Sequence, residues 1–236
     1  MVRIARTASL LMLLAAAVVP ALGQDLVAVA PQAAKVEFEN TQVRVVRLKL
    51  AANESLPMHD RPARVVIPLT ANNVRITRAD GTTAIVQSPA GRAAWSEPGK
   101  RSVTNLDTPL ENVVIELKQA KGPAKALSGP PSPRPENYLE EPLHRWQFEN
   151  QYVRVYDVHI PPGATSEFHV HGYDTLFIEI SGDTMAHQSK GAEWEKSEKV
   201  AVGKVSFSGD LGHVRVHRVR NESKVEYHVI AVQILP

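Results

Sequence analysis

"VEFENTQVRVVRLKL", residues 36–50, and "WQFENQYVRVYDVHI", residues 146–160, are two versions of one segment. Each carries Phe-Glu-Asn and, two residues later, Val-Arg-Val, at a separation of 110 residues. At that same separation His59 falls on His169, Arg61 on His171 and Asn53 on Gly163. A register held across segments this far apart indicates a duplicated domain and not a solenoid of short repeats. Between the copies lies "KGPAKALSGPPSPRPENYLEEP", whose proline and glycine content breaks regular structure and reads as a linker or wrapping arm. The expected organisation is a first domain over 24–120, a linker over 121–143 and a second domain over 144–236.

Each copy consists of short runs rich in valine, isoleucine and aromatic residues, separated by Gly, Asn, Asp or Pro. The first has "VRVVRLKL", "ARVVIPLT", "NVRITRAD" and "NVVIELK"; the second has "VRVYDVHI", "DTLFIEI", "KVSFS" and "VEYHVIAVQIL". Such runs favour strands, and their punctuation favours turns. No long amphipathic helix follows residue 23. Many short strands in a unit of this size predict an all-β fold, a sandwich or barrel in each copy.

The chain has 236 residues, 43% hydrophobic and 22% charged, within the range of ordinary globular proteins. Its first 23 residues stand apart. Arg3 and Arg6 precede an apolar stretch, "SLLMLLAAAVVPAL", that ends in Ala21-Leu22-Gly23. The uncharged stretch is short for a membrane span and is interrupted by Pro20. It reads as a secretory signal peptide, which predicts a secreted or periplasmic protein with no stable membrane anchor after cleavage. Loss of Arg3 and Arg6 takes the formal charge from +2 to zero, and no basic stripe argues for nucleic acid. The absence of cysteine excludes thiolate metal sites, cysteine nucleophiles and disulfides.

"EFHVHGYDTL", residues 167–176, holds the chemistry. Residues i and i+2 of a strand share a face, so His169 and His171 point the same way, opposite Phe168 and Val170. A third histidine, His217, begins "HRVRN", which ends in Asn221 at a turn before the last strand. Imidazole nitrogens converging from different strands suit iron, manganese, nickel, copper or zinc.

The second copy resembles the cupin superfamily. Gly163 is followed by five residues, then His169-Val170-His171, with Gly182 closing "LFIEISG"; His217 and Asn221 match that superfamily's later His-x-x-x-Asn. With both copies carrying the flanking pattern, the chain resembles a bicupin, which implies two tandem jelly-roll barrels and one divalent transition metal in the second. Three departures stand out. The carboxylate of the first motif would fall on Thr175 or Leu176, leaving Asp174, one residue early, as a substitute. The proline and glycine that usually precede the last histidine are replaced by "FSGDLGHVRVH". That segment also holds His213, an alternative to His217; aligning Asn105 with Asn221 favours His217, opposite Arg101.

In the first copy Arg61 and Arg101 replace the second and third histidines. A guanidinium offers no lone pair, so this domain is expected to be metal-free and structural. Its two arginines would pair with acids such as Asp60 and fill the cavity, or else bind an anionic group. In the second copy, Arg215 is a candidate fork for a substrate carboxylate, and Tyr173, Phe177 and Phe207 are candidate cavity walls. His144, His159, His187 and His228 read as strand or surface residues.

No phosphate-binding glycine loop, nucleophile elbow or His-Glu-x-x-His helix is present. In cupins the implied metal supports dioxygenases, decarboxylases and isomerases. The expectation is a metal-dependent oxygenase or isomerase-type enzyme on a small organic molecule. The alternatives are a non-catalytic ligand-binding or sensing module and a structural barrel with a vacant site. Oligomeric state is not legible.

Overall fold

The computed structural model describes residues 24–125, 141–209 and 215–236. The signal segment, most of the linker and His213 therefore lie outside the described residues. A four-residue helix, α1 (Leu26–Val29), leads into the first copy. That copy supplies β1 (Ala34–Glu39), β2 (Val43–Leu50), β3 (Ser55–Arg61), β4 (Arg64–Pro68), β5 (Asn72–Arg78), β6 (Thr83–Ser88), β7 (Ala94–Ser96), β8 (Gly99–Asn105) and β9 (Leu110–Leu117). The second supplies β10 (His144–Glu149), β11 (Val153–Ile160), β12 (His169–His171), β13 (Thr175–Ser181), β14 (Thr184–Ser189), β15 (Glu198–Lys199), β16 (Val205–Ser208), β17 (Arg215–Asn221) and β18 (Tyr227–Ile234). The protein is all-β, as its sequence predicts.

Each copy folds into two antiparallel sheets with the same order. The first has β1-β2-β9-β4-β7 over β3-β8-β5-β6, and the second has β10-β11-β18-β13-β16 over β12-β17-β14-β15. The duplication extends to local detail. The side chains of Asn40 and Asn150 accept from the backbone two and three residues on, closing the β1–β2 and β10–β11 hairpins. This is the physical content of the repeated Phe-Glu-Asn, because an Asx turn replaces backbone bonds that the reversal leaves open. A bulge falls between Val36 and Phe38 and again between Trp146 and Phe148. Asn53 has φ of 63° where Gly163 has 72°, so both copies need a left-handed residue there, which Asn and Gly tolerate best.

Alternation along the strands builds three cores. Val46, Leu48, Leu50 and Val114 face the interior of the first barrel; Tyr156, Val158, Val229 and Ala231 face that of the second. The opposite faces of the two five-stranded sheets meet. Val43, Val45, Ile67 and Ile115 of the first pack with Val153, Val155, Ile178 and Ile230 of the second in one buried cluster. Phe38 stacks on Phe207 at 5.2 Å, and Trp95 on Tyr152 at 5.7 Å. A sheet covered on both faces needs apolar residues at nearly every position, which explains why β9 and β18 are buried at all but their second residues, Glu111 and His228. The four-stranded sheets form the outer layers. Each barrel interior thus lies between an outer sheet and a rigid, doubly covered inner one.

Candidate metal centre

Two paired strands bring the three histidines together. β12 pairs with β17 so that His169 lies opposite His217 and His171 opposite Arg215. Period-2 alternation then turns His169, His171 and His217 inward, and all three are buried. Each offers a ring nitrogen, and these atoms lie within 4.8 Å of one another. Ring centroids are 4.7 Å apart from His217 to either partner and 5.1 Å between His169 and His171.

This donor set fits a metal ion. His169 Nδ1 lies 3.0 Å from the Glu167 carbonyl, which accepts its proton and leaves the Nε2 lone pair for the cavity. The Nε2 atoms of His171 and His217 are 2.8 Å apart. Two nitrogens about 2.0–2.1 Å from one ion and at right angles to it would be about 2.8–3.0 Å apart. Burial lowers all three pKa values, that of His169 to about 3. The rings are therefore neutral at physiological pH and free of a competing proton.

The register of the first copy agrees with His217. In the first copy His59 lies opposite Arg101, as His169 lies opposite His217. Asn105 and Asn221, both fully buried, follow at the same distance and close the same turn. The Asn221 amide donates to the carbonyls of Ile160 (2.9 Å) and Val225 (2.8 Å), and that of Asn105 to Ala51 and Thr108.

Other expected residues are placed differently. Asp174 is buried, and its carbonyl accepts from Ile234, but its carboxylate is not part of the three-histidine group. It has the parity of Leu176 and Ile178, which enter the inter-domain core, whereas Thr175 takes the inward position and bonds the Tyr173 carbonyl. Tyr173 does not line the cavity. Its ring lies under the Arg154 guanidinium, 5.4 Å away. Phe177 and Phe207 do line it, with Phe177 edge-on to His171 at 5.4 Å. Arg215 is exposed at the rim, 3.6 Å from Glu195.

Three cavity residues escaped sequence reasoning. His144, which opens β10, is buried against His169 at 4.2 Å between ring centroids and bonds the Glu141 carboxylate. Glu141 also accepts from Leu143 and Glu167, so the end of the expected linker belongs to the second barrel. His187 stacks on His217 at 5.3 Å. Glu179 lines the cavity, which has a volume of about 320 Å³. Burial pushes Glu179 up to about 7, although the Tyr227 hydroxyl (3.3 Å) and Lys204 favour its ionised form.

Glu179 carries a pH signature. A carboxyl whose pKa rises on folding stabilises the protein less as pH climbs from its unfolded value, about 4.3, to its folded one. After discounting for partial exposure, the loss between pH 5 and 8 is about 1–3 kcal/mol. Glu179→Gln should be more stable than the parent by that amount at pH 8 and about equal at pH 5. Urea unfolding of both proteins at the two pH values checks it; a difference that does not change with pH contradicts the assignment.

A second group, Asp157, His159 and His228, lies on the far face of β11 and β18. Both Nε2 atoms bond the same Asp157 oxygen, at 3.0 and 2.6 Å, so this partly buried group is satisfied by hydrogen bonds within itself.

No protein-family profile matches the sequence. No curated protein matches it either. Among solved structures the chain is similar to AerE from Microcystis aeruginosa at 12% identity and a TM-score of 0.60, covering 86% of this chain and 98% of that one. It is also similar to the Lactobacillus farciminis oxalate decarboxylase formate complex (15%, 0.55, 86% and 84%) and to the Bacillus subtilis oxalate decarboxylase at pH 4.6 (13%, 0.54, 82% and 68%). At such identities the likeness concerns the fold. The chain has the bicupin fold, two cupin barrels in tandem.

Proposed function

We propose that the mature, exported protein is a metal-dependent enzyme acting on a small organic molecule in its C-terminal barrel, with oxygenase or isomerase-type chemistry. The observation that carries this reading is the convergence of three neutral, buried imidazoles at the wall of a cavity of about 320 Å³. His169, His171 and His217 would hold one divalent ion, and three protein ligands leave positions open to a ligand. When bound, the metal supplies Lewis acidity toward a carbonyl or carboxylate oxygen and a docking point for dioxygen. Manganese is the first ion to test, because the structurally similar B. subtilis oxalate decarboxylase carries Mn(II) centres.

The protein's own groups suit a small acid. Arg215, Lys199 and Lys204 line the cavity and attract an anion. Glu179 has a pKa near neutrality, where a general acid or base works best. Export rests on the pattern of residues 1–23.

A non-catalytic binding module is the second reading, favoured by Thr175 at the place of the fourth ligand. Incubating metal-loaded protein with small hydroxy and keto acids, in air and without it, separates the two. A product that forms only with added metal, followed by NMR, supports the enzyme. Substrate line-broadening by bound Mn(II) without product assigns the binding module. A product formed equally by metal-stripped protein overturns the metal-dependent reading.

A further inference from the structure

The first barrel, expected to be a filled structural unit, also encloses a cavity, of about 220 Å³. The expected pairing of its arginines with Asp60 does not occur. Asp60 and Arg61 are consecutive on β3, so their side chains take opposite faces, and Asp60 pairs with Lys100 at 3.5 Å. Arg61 lines the cavity, and its Nε and Nη1 are buried with no hydrogen-bond partner among the described residues.

The neighbouring charges do not neutralise it. Glu116 is shared by Arg44 and Arg64, and Asp25 is taken by Arg44. Arg101, on the opposite strand and also lining the cavity, reaches only the Glu97 carbonyl, at 3.4 Å. Burial beside Arg64 and Arg101 pushes Arg61 down, to about 9, so it remains a cation at neutral pH, with Nε and Nη1 buried beside other cations. A buried cation without a partner is costly and is retained where an anion completes it. Leu48, Leu56, Val74 and Val103 make part of the wall apolar, and His59, Asn72, Ser88, Arg92, Ser96 and Asn112 interrupt it.

We propose that the N-terminal barrel is a binding site for a small monocarboxylate with an apolar body, whose carboxylate is held by Arg61 and Arg101. A guanidinium fork matches a carboxylate in geometry as well as charge. The hydrocarbon body of an acid the size of benzoate or hexanoate fits the apolar part of the wall. The site is separate from the three histidines and would let the barrel that lacks metal ligands select or sense an organic acid.

Calorimetry on the full mature protein tests this with benzoate and hexanoate as probes, against benzamide, hexanamide and inorganic phosphate. The acids should bind with a Kd on the order of 0.1 mM. The amides, which lack the charge, and phosphate, which lacks the body, should bind at least roughly tenfold more weakly. Arg61→Met should weaken the acids roughly 100-fold while raising the melting temperature of the ligand-free protein, since it removes an uncompensated charge. Arg101→Gln should also weaken them, and His169→Ala/His171→Ala should leave them unchanged. Three results would each overturn the proposal. They are no binding of either acid, phosphate binding as tightly as the acids, and binding that survives Arg61→Met but disappears in the double-histidine variant. A ligand-free Arg61→Met protein less stable than the parent would likewise contradict it.

Discussion

His217→Ala is expected to abolish metal retention, while His213→Ala leaves it intact. The pairing of His169 with His217 across β12 and β17 repeats that of His59 with Arg101 in the first copy, whereas His213 lies outside the described residues. Metal-binding energies for small protein sites are about 10 kcal/mol or more, so losing one of three ligands costs roughly a third of that. That corresponds to a roughly 100- to 1,000-fold loss of affinity, enough to strip the ion during purification. Elemental mass spectrometry of the parent and the two variants, with circular dichroism to confirm the retained β fold, checks the result. The reverse order, with metal lost in His213→Ala and kept in His217→Ala, would transfer the ligand role to the segment before β17.

Asn221→Ala is expected to destabilise the protein by about 2–4 kcal/mol. Asn221 is fully buried, and its amide satisfies the carbonyls of Ile160 and Val225 while its oxygen accepts from the backbone and hydroxyl of Ser223. Alanine takes the side-chain donor from the Ile160 carbonyl, leaves the Val225 carbonyl only the Ser223 hydroxyl, and removes the acceptor of the Ser223 N–H, at about 1–2 kcal/mol for each group left unpaired. It also loosens the end of the strand that carries His217. Metal affinity should therefore fall along with stability. Asn105→Ala removes the equivalent lock from the first copy and serves as the control, with a similar loss of stability and unchanged metal binding. Denaturant unfolding and metal titration of both variants distinguish them. A loss below about 0.5 kcal/mol for Asn221→Ala would mean that the turn is held by other groups.

Much of this architecture was legible because the duplication compares the chain with itself. Phe-Glu-Asn marks the same Asx turn twice, and the 110-residue separation aligned Asn53 with Gly163, two left-handed residues. Carried further, the same alternation would have revealed more. Thr175, Phe177 and Glu179 share a face of β13, so Phe177 facing the cavity already implies Glu179 there. Asp60 and Arg61, being neighbours on a strand, were never able to meet on one face. Nearly continuous apolar runs such as "VIAVQIL" signal a sheet covered on both sides, which is where the two barrels join.

The rest depends on long-range geometry that no local pattern encodes. His144 begins a strand far in sequence from His169, and only sheet closure brings their rings to 4.2 Å. Tyr173 sits next to the histidine motif, yet its ring lies outside the cavity, under the guanidinium of Arg154 on β11. The difference between the two barrels is chemical. Where one presents imidazoles that burial keeps neutral, the other presents guanidinium groups that cannot become ligands. One fold therefore places an imidazole-lined interior and a guanidinium-lined interior back to back.

The most direct test of the central claim is anomalous diffraction from crystals of the protein loaded with Mn(II), recorded above and below the manganese edge. The account predicts one strong peak in the C-terminal barrel, about 2.1–2.3 Å from the Nε2 atoms of His169, His171 and His217. Loaded crystals with no peak there, or with the peak at Asp157, His159 and His228 instead, would contradict it.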